Sequence, residues 1–509
     1  MDLLKNQSTN LNIVGISLYD LGHQPLSLAA AAAIFKKNSC NFTLVDLSIS
    51  KLDVDEIISA DVILLSVPMH TAARMALSIL PKLRELNSNA HISAFGLYAI
   101  QLEDALSENL LDSAFAGEFE PNLELLLNKY LYQNNEDLNS DFWDKPKVDF
   151  SRQKFLVPER NKLPVLSEYA KIQYHNNEKI NGYIETSRGC AHICSHCPVT
   201  AVYKGKFRVI DAKSILTDVD NLVNEGAQHI TFGDPDFFNA PKHSLKIASI
   251  IKDKYPQLTF DATIKVEHIL EYKDLIKTLD DLNFLYIISA FESTSDVVLA
   301  HLKKNHNLYD MHHVLDICRD ANLFIKPTWI PFTPWMDYSD YVKMINFIVE
   351  NDLVGLTPRI QYGIKLLIPK YSALFDGESL NAFDMQYSTA SLNHEWSHDN
   401  SDVEKLFTEV SQLIELSTED TMSQADFFQK LCNLVSTNTN EIIQTCNNFE
   451  VSSDKNSSVD IPFGNSSSFD SKKALVSLSS SRLFQYFFVI SIFYTALNLI
   501  VAFSTFPSS

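Results

Sequence analysis

Three of the seven cysteines, Cys190, Cys194 and Cys197, fall within one short segment, RGCAHICSHCP, in a C-x3-C-x2-C spacing. A loop of that length bends three thiolates onto three corners of an iron–sulfur cube, and thiolate is the usual protein ligand of such a 4Fe-4S cluster. The fourth iron then has no protein ligand. It is open to the amino and carboxylate groups of S-adenosylmethionine, into whose sulfonium it can pass one electron; that chemistry belongs to the cofactor, and the protein positions and shields it. The competing metal is a structural zinc ion, with His192 or His196 completing a Cys3His set. The loop follows directly on the strand pattern GYIETSR, which opens a βα series and favours the cluster over a zinc knuckle.

The elements that position this loop read as two α/β units. Between residue 11 and about 130 the apolar runs LNIVGISLY, NFTLVDL, VILLSVPM, HISAFGLY and SAFAGEF alternate with helical patterns at Pro25–Lys36 and His70–Leu86. Alternation of that kind predicts a flavodoxin-like doubly wound domain over 1–130, with its ligand crevice at the carboxyl ends of the strands. Residues 131–180, polar and broken by prolines, read as a linker. From 181 to 395, GYIETSR, HITFGD, TFDATIKV, FLYIISAFES, LFIKPTWIPF and PRIQYGIKLL supply six strands of a partial (β/α)6 TIM-type barrel, whose functional residues belong at strand carboxyl ends. A helical C-terminal region follows at 396–447, then a Ser/Asn-rich tether at 448–482. The uncharged tail at 483–509 contains Leu483–Phe503, long enough to span a bilayer.

Composition narrows the function classes. The 509 residues are 46% hydrophobic, ample for sizeable cores, and carry a net charge of −21, which repels phosphate backbones, so nucleic acid is not expected as a partner. An odd number of unevenly spaced cysteines, behind a start that lacks a signal-peptide pattern, predicts a reducing, cytoplasmic setting. No Walker loop, G-x-S-x-G elbow or H-E-x-x-H pair occurs, so phosphoryl transfer, serine hydrolysis and zincin chemistry have no local support. Cys40, Cys318 and Cys432 sit in apolar contexts and read as small buried hydrophobes, whereas Cys446 reads as exposed. Arg188 is expected to balance the cluster's charge or fix its loop. The basic run Tyr203–Arg208 reads as a solvated turn, with cofactor carboxylate or substrate as the alternative target.

RGCAHICSHCP and the strands after it resemble the radical S-adenosylmethionine enzymes, over residues 10 to about 375. The resemblance implies that the end of the second barrel strand, FGDPDFFN, places Gly233, Asp234 and Pro235 at the cofactor's methionine amino group. It puts Glu292 and Ser293 of AFESTSD at the ribose and the backbone of Trp329–Phe332 at the adenine. Asp234 and Asp236 could equally cap the next helix, and Glu292 could pair with a basic side chain at the barrel mouth. An external electron donor such as ferredoxin or flavodoxin is implied, with a small-molecule or peptide substrate giving up a hydrogen atom to a 5'-deoxyadenosyl radical.

Within that family the chain is similar to the subgroup with an N-terminal cobalamin-binding-like domain, and to the CUAEP/CCAEP-tail proteins in particular, through LGHQPLSLA, SVPMHTAAR, GEFEP, TIKVEHIL and FTPW. Two departures stand out. The D-x-H-x-x-G motif that gives cobalamin its lower histidine is absent, since Asp20 and His23 have the wrong spacing; histidine-independent cobalamin binding and a domain without a cofactor both stay open, with His23 and His70 as candidate crevice residues. No cysteine follows Cys446, and the hydrophobic end stands where the tail motif would be, either as a membrane anchor or as the product of a shifted reading frame. With cobalamin, methyl transfer to an unactivated carbon is implied; without it, a rearrangement, cyclisation or thioether step. The rivals from other classes are a zinc-stabilised binding protein and a membrane-tethered sensor.

Overall fold

The computed structural model describes residues 11–132, 143–174, 177–419 and 422–437. Five apolar runs of the N-terminal region form β1 (Asn12–Ser17), β2 (Asn41–Asp46), β3 (Val62–Ser66), β4 (His91–Phe95) and β5 (Ser113–Gly117). They make a parallel sheet in the order β2-β1-β3-β4-β5, extended at its edge by β6 (Lys147–Asp149). Strands such as VILLS are buried along their whole length because helices cover both faces of the sheet, which is why they read as continuous apolar runs. The alanines of helix Leu26–Lys37 keep its buried side thin: Leu28 lies so close to β1 that a methyl group at Gly15 would meet it at 2.8 Å. Strand β6 comes from the segment expected to be a linker. Three residues directly after Pro146 carry little periodicity, and pairing with β5 makes them a strand.

The second sheet begins with the hairpin β7 (Lys171–Tyr174) and β8 (Asn177–Ile184) and continues through β11 (His229–Phe232), β12 (Thr259–Thr263), β13 (Phe284–Glu292) and β14 (Phe324–Trp329). Its order is β14-β13-β12-β11-β8-β7, with β8 and β11–β14 parallel. In β11, Ile230 and Phe232 join the apolar core, whereas His229 and Thr231 sit on the other face and share Asp261 of β12 as acceptor, at 2.8 and 2.6 Å. The sixth expected strand, PRIQYGIKLL, is reduced to a 3-10 turn at Arg359–Gly363 and one parallel bridge, Phe332 to Lys365. The Gln361 side chain takes the Trp329 N–H at 2.7 Å, so a side chain occupies β14's free edge where a sixth strand's backbone would pair.

Helices Ser401–Glu419 and Gln424–Thr437 close the barrel side, with Leu406, Val410, Phe427, Phe428 and Leu431 in its core. Cys318 and Cys432 are buried there, while Cys40 is half-buried. The hairpin β15 (Gln386–Ser388) and β16 (Asn393–Glu395) reaches the other way, and Leu392 at its turn joins the core of the first sheet. Among the described residues no helix is long and apolar enough to cross a membrane. Leu483–Phe503, the tether and Cys446 lie outside the described residues.

Candidate active site

The cysteine loop hangs from a small antiparallel hairpin, β9 (Ser187–Gly189) with β10 (Phe207–Val209). Gly189 turns into the loop at φ +78°, and a β-carbon there would lie 2.5 Å from the Lys206 carbonyl oxygen and from the Tyr203 ring. The Cys190 N–H donates to the Lys206 carbonyl at 3.2 Å. Ser195 anchors the far side of the loop, its N–H on the Leu302 carbonyl at 3.0 Å and its hydroxyl on the His301 carbonyl at 2.7 Å. Cys197 precedes helix Pro198–Tyr203, whose proline starts it at N1.

All three thiols are free, and burial pushes Cys190 up to about 12 and raises Cys197, whose neighbour Cys194 adds to the effect. A single tetrahedral zinc, with Zn–S near 2.3 Å, needs ligand atoms about 3.8 Å apart. The sulfurs do not gather that closely: among the described residues only His192, Asp236 and His268 bring three ligand atoms within 4.8 Å of one another. The histidines offered to zinc are also turned away. His192 lies beside Asp236 and Glu267, and His196 beside Glu292 at 3.3 Å. Three thiols on one loop that do not converge on one point favour a cluster over a single ion. Lys265 Nζ, 3.3 Å from Cys194 Sγ and 2.7 Å from Glu267, brings a cation to the cluster position that the sequence did not single out.

The expected cofactor residues stand at the carboxyl ends of the barrel strands. After β11, the Tyr183 hydroxyl donates to the Gly233 carbonyl at 3.2 Å and its ring fills the space beside the glycine. An alanine β-carbon there would sit 1.9 Å from that ring. Gly233→Ala is therefore expected to destabilise the protein by about 1–3 kcal/mol, as overpacking does, and to weaken S-adenosylmethionine binding; the addition of Tyr183→Ala should restore the melting temperature. Unchanged melting in Gly233→Ala would contradict this packing.

Asp234 is buried and accepts from the Thr186 N–H, the Thr186 hydroxyl and the Ser187 hydroxyl at 2.8, 2.7 and 2.6 Å. Burial still pushes it up to about 6 against those bonds. Its carboxylate thus holds the strand that leads into the cysteine loop. Asp236 caps the following turn by accepting from the Phe238 N–H at 3.0 Å, the capping alternative read from the sequence.

Glu292 ends β13 at a register shift and takes φ +64°, a conformation that costs a non-glycine residue of order 1 kcal/mol and is held here by its partners. Lys304 Nζ lies 3.2 Å from its carboxylate. Burial alone would raise this carboxyl, but Lys304 and His196 hold it down at about 2. Its folded pKa is below the unfolded value, so its contribution to stability is complete above about pH 4.5 and is lost as pH falls toward 2. Glu292→Gln should flatten that part of the denaturation-midpoint curve of the cluster-free protein; parallel curves would show that the pair has no such weight. Ser293 accepts from the Ser295 N–H at 3.1 Å, and the Ile330 N–H donates to the Glu292 carbonyl at 2.8 Å.

Arg188 does not point at the cysteines. Its guanidinium lies among Glu120, Glu185 and Glu118, with Glu118 in the loop after β5 and Glu120 opening the helix Glu120–Tyr132, and stacks on Phe119 and Phe155. It fixes the loop's root to the first sheet. The basic run after Cys197 turns at Lys204–Gly205 with Lys204 and Lys206 exposed, as the solvated-turn reading expects, and returns as β10; Tyr203 before it is buried, and Lys206 lies over the Phe150 ring. The first sheet's carboxyl edge adjoins the cysteines directly, because Ala116, Leu97 and Ile100 pack with Cys190, Val199 and Tyr203. His23 lies against Tyr183 with ring centroids 4.6 Å apart, and His70 pairs with the Ser391 carbonyl through Nε2 at 2.8 Å; burial lowers both to about 4, so each is neutral at pH 7.

Comparison with known proteins places this arrangement. Residues 184–348 match the Radical SAM superfamily, and the chain is a radical S-adenosylmethionine enzyme, with a 4Fe-4S cluster and S-adenosylmethionine as its cofactors. A Methanocaldococcus jannaschii protein that carries the name methylthiotransferase is 23% identical over 361 residues, 67% of this chain and 75% of the relative. The ribosomal protein uS12 methylthiotransferase RimO of Helicobacter pylori is 25% identical over 228 residues, 40% of this chain and 46% of its own length. Among solved structures, the cobalamin-dependent S-adenosylmethionine radical enzyme OxsB superposes with TM-score 0.64 at 13% identity, over 84% of this chain and 72% of that one. The radical S-adenosylmethionine methyltransferase TsrM of Kitasatospora setae gives 0.54 at 14%, over 71% and 74%. Both show the shared fold, a parallel sheet followed by a half-barrel.

Proposed function

We propose that the protein is a cobalamin-dependent radical S-adenosylmethionine enzyme that transfers a one-carbon group to a small-molecule or peptide substrate. The observation that carries this reading is the carboxyl edge of the first sheet. Ser17 at the end of β1, Ser66 at the end of β3, His70 and Thr71 in the first turn of helix His70–Leu86, and Gln101 in the 3-10 turn Leu97–Leu102 present buried polar atoms with no hydrogen-bond partner. Buried polar groups are normally paired, and such a row in the crevice of a doubly wound sheet suits a large polar ligand. The row adjoins the wall that touches the cysteines. The corrin, when bound, supplies a methyl carrier. The cobalamin-dependent neighbours and the methylthiotransferase names support a transfer reaction, and LGHQPLSLA, SVPMHTAAR and FTPW support kinship with the CUAEP/CCAEP-tail subgroup. Gly233, Asp234 and Pro235 would border the methionine end of the cofactor, and Glu292 and Ser293 its ribose, with the pairing of Glu292 to Lys304 fixing that strand end.

In this site the chain's own residues bind, orient and exclude water. The three thiolates hold the cluster, Lys265 offsets charge beside Cys194, and the wall of Ala116, Leu97 and Tyr203 keeps solvent from Cys190. The test is anaerobic purification with iron and hydroxocobalamin. About four irons per chain, one retained cobalamin with a protein-perturbed visible spectrum, and methylated product from labelled S-adenosylmethionine are expected. Four irons and 5'-deoxyadenosine without retained cobalamin would overturn the cobalamin reading and leave a rearrangement, cyclisation or thioether chemistry.

A further inference from the structure

His192, Asp236 and His268 come from the cysteine loop, the turn after β11 and helix Val266–Glu271 after β12, and their ligand atoms converge within 4.8 Å. His192 Nε2 is 3.2 Å and His268 Nδ1 2.8 Å from Asp236 Oδ2. Those separations are short, yet all three atoms are buried and none makes a hydrogen bond of acceptable geometry. Asp236 is fully buried, and its only satisfied oxygen, Oδ1, is taken by the Phe238 N–H. The Lys265 amine is engaged by Glu267 and Cys194. A buried carboxylate oxygen facing two ring nitrogens, none of them otherwise satisfied, is the arrangement of a cation's ligands.

Ligand atoms held 2.0–2.2 Å from one ion lie about 3 to 3.5 Å apart, which the two measured edges approach. The surroundings match as well. His192 Nδ1, the nitrogen facing away, is 3.1 Å from Glu267 Oε2; a carboxylate on the far nitrogen is the usual outer partner of a metal-bound imidazole, fixing its tautomer and raising its basicity. Two imidazoles and one carboxylate suit a divalent first-row ion with open coordination positions.

We propose that His192, Asp236 and His268 bind one divalent transition-metal ion, distinct from the iron–sulfur cluster. Because His192 lies between Cys190 and Cys194, the ion ties the cluster loop to the segments that follow β11 and β12, and its open positions accept water or a heteroatom of the substrate. The proposal stands apart from the cobalamin reading and from cluster assembly.

The probe is Co(II), added to chelator-washed protein carrying Cys190→Ser, Cys194→Ser and Cys197→Ser. One Co(II) per chain is expected, with weak ligand-field bands and no thiolate charge-transfer band, and further Asp236→Asn or His268→Ala should abolish uptake. A folded triple variant that takes up no Co(II), or uptake indifferent to Asp236→Asn and His268→Ala, overturns the proposal. Should the triple variant fail to fold, the cluster-loaded wild-type protein is compared with its His268→Ala form. Loss of one non-iron metal with four irons retained supports the site, and equal metal content overturns it. Failure of the wild-type protein to assemble four irons would count against the cluster alone, because cobalt uptake by the triple variant is read separately.

Discussion

Cys194→Ala should abolish both iron retention and dithionite-dependent formation of 5'-deoxyadenosine, taking the activity below detection while leaving far-ultraviolet circular dichroism unchanged. The effect is large because a cube held by three ligands, with its fourth iron reserved for the cofactor, has no further sulfur on its own loop to substitute. Cys318 is sealed in the barrel core and Cys40 lies at the start of β2 in the other sheet, so neither can rotate into the loop. Cys318→Ala, by contrast, should retain full iron and cost only the stability of a small buried side chain. Equal iron content in wild type and Cys194→Ala would remove the loop from the cluster altogether.

Arg160→Leu should lower stability by about 3–5 kcal/mol, the range for breaking one side of a buried ion pair. The guanidinium is buried and binds Asp218 in a two-pronged contact at 2.7 and 2.8 Å, the Gln24 side chain at 2.9 Å and the Tyr183 carbonyl at 3.0 Å. Gln24 belongs to the loop after β1, Asp218 to helix Ala212–Asn224 and Tyr183 to β8, so one side chain from the connecting segment joins both sheets. Its loss strands the Asp218 carboxylate in the interior. Arg160→Lys should not rescue it, because an ammonium cannot reproduce the planar fork. The double change Arg160→Leu with Asp218→Leu should recover part of the loss by removing the stranded charge. A chemical-denaturation midpoint within error of wild type for Arg160→Leu would show that the domains hold together by other means.

The parts of this molecule that announced themselves in the sequence are those set by local pattern. Five of the six strands of the first sheet sit on the apolar runs that predict them, and helix His70–Leu86 begins and ends where the periodicity does. Five of the six barrel strands likewise follow their runs. The cysteine spacing was legible because the cluster needs all its ligands within one turn of chain. What local pattern could not convey is competition between distant segments. The sixth barrel strand lost its place to a single side chain, Gln361, and β6 exists only because β5 offers an unpaired edge.

The site shows the same division. Glu292 and Asp234 were legible as strand-end carboxylates, but their partners were not: Lys304 follows Glu292 by a helix, and Thr186 and Ser187 precede Asp234 by an entire βα unit. The convergence of His192 with Asp236 and His268 had no sequence signal, since no spacing rule links three elements of a barrel. Of the two roles expected of Arg188, balancing the cluster's charge or fixing its loop, the structure redirects it to the second. Three carboxylates, two from the first unit, take its charge instead.

That redirection bears on how such enzymes can be recombined. Arg188 belongs to the barrel by sequence, yet Glu118 and Glu120 belong to the unit before it. A chimera grafting this barrel onto a relative's N-terminal unit would inherit a buried guanidinium without its anions unless both acids travelled with it. The connecting segment is therefore no clean seam for exchange, because the acids that answer Arg188 lie ahead of it in the chain.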